Sequence, residues 1–214
     1  FVNHENIKVL LQTTVSDVIK EGNTVKGLIV SSKEGLFAIM AKVVIDCTGD
    51  GDVSFLAGVE INKGRDDGLM QPASHEFTIE NIDESKGVVC IGDVDDVEFN
   101  GVRFLDYCKE CADKGLIPED LAAVRLHRTV TPGERQVNTT QITKFDSTKP
   151  EQFYKAEWEL RKQITLLTEF FRKNLPGYEV CKIKSSGVTI GVRESRRIVG
   201  EYVITAEELI AGKT

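Results

Sequence analysis

Long apolar runs are missing from this sequence. None approaches the ~20 residues of a membrane-spanning helix, so no helical membrane span is expected. An excess of positive charge is missing too. Lys and Arg number 27 against 34 Asp and Glu, for a formal net charge of -7. A general binder of phosphate backbones needs the opposite balance, so no nucleic-acid partner is expected. Histidine is scarce: His4, His75 and His127 stand apart from one another. No serine lies in a G-x-S-x-G setting, which leaves a hydrolase triad without support. Cysteine occurs five times, at Cys47, Cys90, Cys108, Cys111 and Cys181. An odd, scattered set argues for free thiols in a reducing compartment, and a cytoplasmic location is expected. What is present is ordinary for a globular protein. The chain is 41% hydrophobic and 29% charged, and its 214 residues suffice for one large domain or two small ones.

The densest signal is Val43-Val44-Ile45-Asp46-Cys47-Thr48-Gly49-Asp50-Gly51-Asp52. A β-branched run stops at two glycines separated by an acid, and the apolar segment Val53 to Ala57 follows. The pattern reads as a buried strand over Lys42 to Asp46 that turns into a short helix. Tight turns at the carboxyl ends of strands are where α/β sheets bind cofactors. Gly49 to Ser54 comes close to G-x-G-x-x-G, with Ser54 in the third glycine's place. A complete pyrophosphate site is nevertheless not expected. The helix would last only about two turns before Gly58, and Asp50 and Asp52 would set negative charge beside a phosphate. An EF-hand also fails: counted from Asp46, the third position is Thr48 and the twelfth is Ala57, so the bidentate acid is lacking. A plain structural turn is the alternative.

Around that turn the sequence suggests a mixed α+β fold. Ile7 to Leu11, Val15 to Lys20, Val25 to Ser31 and Leu36 to Met40 read as strands at hairpin spacing, an antiparallel meander. Residues 60 to 75 read as a loop. Short strands are expected at Glu76 to Ile79, Val88 to Ile91 and Val97 to Phe99. Helical spacing of Phe104, Leu105, Cys108, Cys111, Ala112 and Leu116 predicts a helix over 102–116. Two strands, Val124 to Val130 and Arg135 to Phe145, flank Thr131-Pro132-Gly133. The longest helix should start after a Ser147 or Thr148 cap and stop at Leu175-Pro176-Gly177, with Phe153, Leu160, Ile164, Leu167 and Phe171 inward. A strand is expected at Val188 to Val192, and Thr205 to Glu208 is a capping box.

Three further groups could carry chemistry. Cys108 and Cys111 form a single CxxC with no second pair, and both fall on the apolar stripe of a helix, so core packing is the better reading than zinc. His127 lies between Arg125 and Arg128 on a strand-like segment, where Arg125 and His127 share one face. A surface position is the plain reading of it. Gly191-Val192-Arg193-Glu194-Ser195-Arg196-Arg197 follows a strand end. Its arginines suit forked recognition of carboxylate or phosphate, unless they form only a solvated face or an Arg–Glu network within the protein.

Taken together and in order, these segments resemble a family of FAD-dependent oxidoreductases distantly similar to fumarate reductase and succinate dehydrogenase flavoproteins. The resemblance is carried by Val43 to Asp52 with Leu56-Ala57-Gly58-Val59, and by Gly191 to Tyr202 with Thr205. Asp67 to Pro72, Val137-Asn138-Thr139-Thr140 and Leu175 to Tyr178 fall in the family's order. The resemblance implies that residues 13 to 40 are an antiparallel insert on an FAD domain and that 42 to 46 returns to a parallel sheet. It implies a partial FAD-binding domain over 1–58, a substrate domain over 59–186 with a mixed or antiparallel sheet, and a return segment over 187–214. Thr48, Gly49, Asp50, Gly51 and Asp52 would lie at the nucleotide end of FAD. Arg193 and Arg197 would contact substrate or flavin anions, Glu194 would orient one of them, and His127 is the candidate for proton transfer.

The family's first G-x-G-x-x-G and its closing C-terminal segment are not in these residues. The expectation is therefore an internal fragment of a hydride-transferring enzyme acting on a small, anionic substrate. FAD would belong to the parent protein and would not be retained by the fragment alone, and exposed sheet edges would favour a homo-oligomer. The competing reading is a non-catalytic α+β ligand-binding or interaction module.

Overall fold

The structure is a computed structural model that describes residues 4–92 and 97–212. In chain order its first elements are β1 (Thr14–Glu21), β2 (Thr24–Ser32), β3 (Gly35–Met40), α1 (Asp52–Leu56), β4 (Ile61–Asn62) and β5 (Phe77–Glu80). Next come β6 (Glu98–Phe99), β7 (Val102–Arg103), α2 (Phe104–Asp113), β8 (Leu126–Arg128) and β9 (Arg135–Val137). The last are α3 (Pro150–Asn174), β10 (Lys182–Ser186), β11 (Arg197–Ile198) and α4 (Ala206–Ile210). Helices and small antiparallel sheets together make an α+β fold, as expected. The chain divides into two compact units, Phe1–Lys63 with Arg196–Thr214, and Gly64–Ser195.

The first unit holds the meander. Its order is β1-β2-β3, with pairing from Thr14↔Ser31 to Glu21↔Thr24 and from Gly27↔Met40 to Ser32↔Gly35. Gly22, at φ 58, supplies the left-handed position that a two-residue hairpin turn requires. Two expected strands are not there. Ile7 to Leu11 has no ladder, and Gln12, at φ 53, turns the chain just after it. Lys42 to Asp46 forms no ladder either, and Val43 and Ile45 are 76% and 80% exposed. An apolar run becomes a buried strand only when neighbours supply hydrogen bonds on both sides. Among the described residues no strand lies beside this one, and every named strand pair is antiparallel. The parallel sheet implied by the resemblance is thus not formed here.

The expected loop over 60–75 contains a short strand. β4 pairs with β11 through Arg197↔Asn62 and Ile198↔Ile61, a partner too distant in sequence for local pattern to reveal. The capping box of α4 is formed: the Glu208 amide donates to Thr205 Oγ1 at 3.2 Å, and the Thr205 amide donates to Glu208 Oε2 at 3.0 Å.

The second unit holds the main core. Its sheet has the order β10-β5-β9-β8, all antiparallel. Phe77, Ile79, Leu126 and Val137 project from it into a cluster with Ile164, Leu167, Phe170 and Phe171 of α3. The apolar stripe of α3 faces inward and Lys155, Glu159, Arg161, Lys162 and Glu169 face water, as the periodicity predicts. Cys108 and Cys111 are buried in the same cluster, so the CxxC packs as core.

Details at element ends depart from expectation. The residue capping α3 is Lys149, without a side-chain bond, because Asp146 Oδ1 already accepts from the Thr148 amide and hydroxyl. Val188 to Val192 is not a strand. Val188 is 96% exposed, and only Gly191 pairs, in an isolated bridge with Ser74. The pairing run lies earlier, in β10. Over Val88 to Ile91 only Cys90 bridges, to Leu126. The strands around Thr131-Pro132-Gly133 are three residues each, shorter than the hydrophobic pattern suggests.

One buried polar tie in this unit has no obvious sequence signal. Arg135, fully buried, holds Glu84 in a fork, Nη1 to Oε1 at 2.6 Å and Nη2 to Oε2 at 2.9 Å. That fork outweighs partial burial and holds the Glu84 carboxyl at about 2.

Candidate functional site

The Thr48–Asp52 turn is organised by Asp46. Its Oδ1 accepts from the Thr48 amide at 3.1 Å and hydroxyl at 2.7 Å, and its Oδ2 accepts from the Ser54 amide at 2.9 Å and hydroxyl at 2.8 Å. Partial burial pushes the Asp46 carboxyl up, but these four bonds outweigh it and bring its pKa down to about 2. Thr48 Oγ1 in turn accepts from the Asp52 amide at 2.9 Å. Gly51 enters α1 at φ 63, and a side chain there would meet Ile198 at 3.3 Å. Gly49, at φ 81, is exposed with open space around it. Asp50 is half-buried.

The arginine that reaches this turn is Arg196, which the sequence did not single out from its neighbours. Its Nη1 lies 2.5 Å from Asp52 Oδ1, and its guanidinium stacks 4.3 Å over the Phe55 ring. Arg197 sits exposed on β11.

The turn does not fit a pyrophosphate. A helix end attracts anions through free amides, yet the amides of Asp52, Ser54 and Phe55 are already bonded by Thr48, Asp46 and Gly51. Carboxylates of Asp46, Asp50 and Asp52 surround it. Asp46 occupies the place that an anion would take.

In the unit formed by Gly64–Ser195, a polar cleft of about 100 Å³ gathers residues far apart in sequence. Arg125, Asn138, Thr139, Ser74, Asp120 and Arg193 line it. Asn138 and Thr139 follow β9, Arg125 precedes β8, and Ser74 leads towards β5. The Ser74–Gly191 bridge, with bonds of 3.2 and 2.7 Å, fixes the segment that carries Arg193. Thr139 Oγ1 accepts from the Arg125 amide at 2.9 Å, which sets the backbone of that wall. Glu194 Oε2 accepts from the Gln71 amide at 2.8 Å and so braces the stretch leading to Pro72, another lining residue.

His127 pairs with Gln136 across the sheet, half-buried, and its Nε2 is enclosed without a hydrogen-bond partner among the described residues. It is not a lining residue of the cleft. Behind the cleft lies His75, 1% exposed. Its Nε2 donates to Gly187 O at 2.9 Å, and its Nδ1 faces Glu157 Oε1 at 3.8 Å.

A family model described as FAD dependent oxidoreductase matches residues 1–214. The chain belongs to that family. Its cofactor is FAD. No curated protein and no solved structure matches the chain. Three separated segments that carry the resemblance described above meet in the cleft: the end of Asp67 to Pro72, Asn138 to Thr140, and Arg193. Sequence reading found Arg193 but passed over Arg125, although Arg125 stands two residues from His127. These residues provide a polar cleft and a self-closed turn. They provide no phosphate cradle at Thr48–Asp52.

Proposed function

We propose that these residues are the central part of a flavin-dependent oxidoreductase that moves hydride between a small anionic substrate and FAD. When bound, the flavin supplies the redox chemistry, and the protein supplies position and charge. Arg193 binds the substrate anion in the polar cleft. Glu194 holds the Gln71–Pro72 wall of that cleft in place. Arg197 is the contact for a flavin or substrate anion. His127 is the weaker candidate for proton transfer, since it lies outside the cleft lining. The exposed backbone at Thr48 and Gly49 is the contact to the nucleotide end of FAD. Asp50, Gly51 and Asp52 shape that turn and leave the pyrophosphate to residues elsewhere in a longer protein. Self-association through exposed sheet edges belongs to the same reading.

The observation that supports it is the meeting, in one cleft lined by an arginine, of three segments that carry the resemblance. The test is to express the whole reading frame and record its visible spectrum. A flavin band that bleaches with an electron donor supports the reading, and a colourless, folded protein overturns it. The isolated 214-residue chain should purify without flavin; stoichiometric yellow protein would refute that part. Light scattering reports self-association.

A further inference from the structure

We propose that the cleft of the 64–195 unit is a site for a small monocarboxylate, gripped by Arg125 and Arg193 and restricted to one negative charge by Asp120. The inference rests on the oxidoreductase reading only in treating that anion as a substrate; the binding itself stands apart from it.

Charge and chemistry make the case. Neither guanidinium has an ion pair or side-chain hydrogen bond among the described residues, in contrast to Arg135, Arg161 and Arg196. Unpaired arginines converging on one cleft present planar forks that match a carboxylate. Asp120 also lines the cleft, so its charged groups leave a single net positive charge. A monoanion balances that charge. A dicarboxylate, or a phosphate carrying about -1.5 to -2 at neutral pH, would bring excess negative charge towards Asp120.

Size agrees with charge. The cleft is small, about 100 Å³, and a compact anion suits it better than a bulky one. The hydroxyl of Ser74 and the side-chain carboxamide of Asn138 also have no partner among the described residues, and both can bond a second polar group next to the carboxylate. The walls are set in advance. Thr140 Oγ1 accepts from the His75 amide at 2.7 Å and donates to the His75 carbonyl at 2.9 Å, and Ala73 is fully buried beside it.

The experiment is equilibrium titration of the full-length protein with acetate, lactate, succinate and inorganic phosphate. Lactate and acetate should bind saturably, with succinate and phosphate at least about tenfold weaker. Arg193→Gln and Arg125→Gln should each weaken lactate by about tenfold, the loss of one charge-assisted bond. Asp120→Asn should narrow the gap between succinate and lactate. Equal or tighter binding of succinate or phosphate by the unaltered protein overturns the proposal. So does the absence of saturable carboxylate binding, or unchanged binding by Arg193→Gln, an exposed position whose replacement leaves folding intact. Lactate binding to a protein without a flavin spectrum would sink the enzyme reading and keep this site. Flavin reduction by an uncharged substrate, with no carboxylate binding, would do the reverse.

Discussion

The Thr48–Asp52 turn and the Arg193 cleft are both polar, and they differ in where their hydrogen bonds go. At the turn, the Asp46 carboxylate, the Thr48 hydroxyl and the first amides of α1 satisfy one another. In the cleft, Arg125, Arg193, Ser74 and Asn138 present side chains with no internal partner among the described residues. A closed network stabilises its own conformation. An open one contributes little to the fold and is available to a ligand. The contrast predicts that substitutions in closed networks cost stability, whereas substitutions in the cleft cost binding.

The largest loss of stability is expected where closure is deepest. Glu84→Ala would leave the buried Arg135 guanidinium without its carboxylate, at a cost of about 3 kcal/mol, moderated because Glu84 reaches the surface. Chemical denaturation of the chain would measure it, and a cost below about 1 kcal/mol would deny that the fork is a principal tie.

Next is Asp46→Ala, which removes four hydrogen bonds, one of them to the Ser54 amide in the first turn of α1, at about 2 kcal/mol. The same carboxylate carries a pH signature. Its folded pKa, about 2, lies below the ordinary carboxylate value of 3.8. The stabilisation is therefore present above pH 4 and fades as pH falls from about 4 to about 2. Glu84 adds to it in the same direction. Asp46→Ala should flatten the acid limb of a stability-against-pH curve. An unchanged limb would show that Asp46 does not hold the turn.

Arg196→Ala should cost less, about 1 kcal/mol, since its partner Asp52 is half exposed and the remaining gain is the stack on Phe55. The effect should be local. Hydrogen exchange at the Asp52 to Leu56 amides would quicken while β1–β3 stays protected. Equal quickening throughout would mean that Arg196 supports more than the turn.

Much of this was legible in the sequence where the signal is local. The periodicity of 150–174, the hairpin spacing of 14–40, the capping box at Thr205 and the apolar placement of Cys108 and Cys111 each follow from a few adjacent residues. Strand assignments failed where apolar character suggested burial and no neighbouring strand supplied a ladder, as at Val43 and Ile45. The tie of Arg135 to Glu84, the reach of Arg196 to Asp52 and the entry of Arg125 into the cleft depend on contacts between distant residues. Charge in the sequence marks these arginines as polar but not which of them finds a partner. Arg193, Arg196 and Arg197 look alike in the sequence. The structure separates them, with Arg196 stacked and paired at the turn, Arg197 on a strand and Arg193 lining a cleft.

The smallest effect on stability is therefore expected at Arg193, and it is the sharpest test of the comparison. Arg193 is exposed and pairs with no acid among the described residues, so Arg193→Gln should shift unfolding by no more than about 0.5 kcal/mol. If the cleft binds the substrate anion, the same change should raise KM by about tenfold or more in the full-length enzyme, through loss of a charge-assisted bond. Arg193→Lys should recover part of the loss, because charge returns without the planar fork. Arg196→Gln provides the opposite pattern, with a measurable loss of stability and no direct loss of anion binding. Matching profiles for the two variants would erase the distinction between the closed turn and the open cleft. Opposite profiles would assign the two arginines to different tasks, Arg196 holding its own unit together and Arg193 meeting what enters from outside.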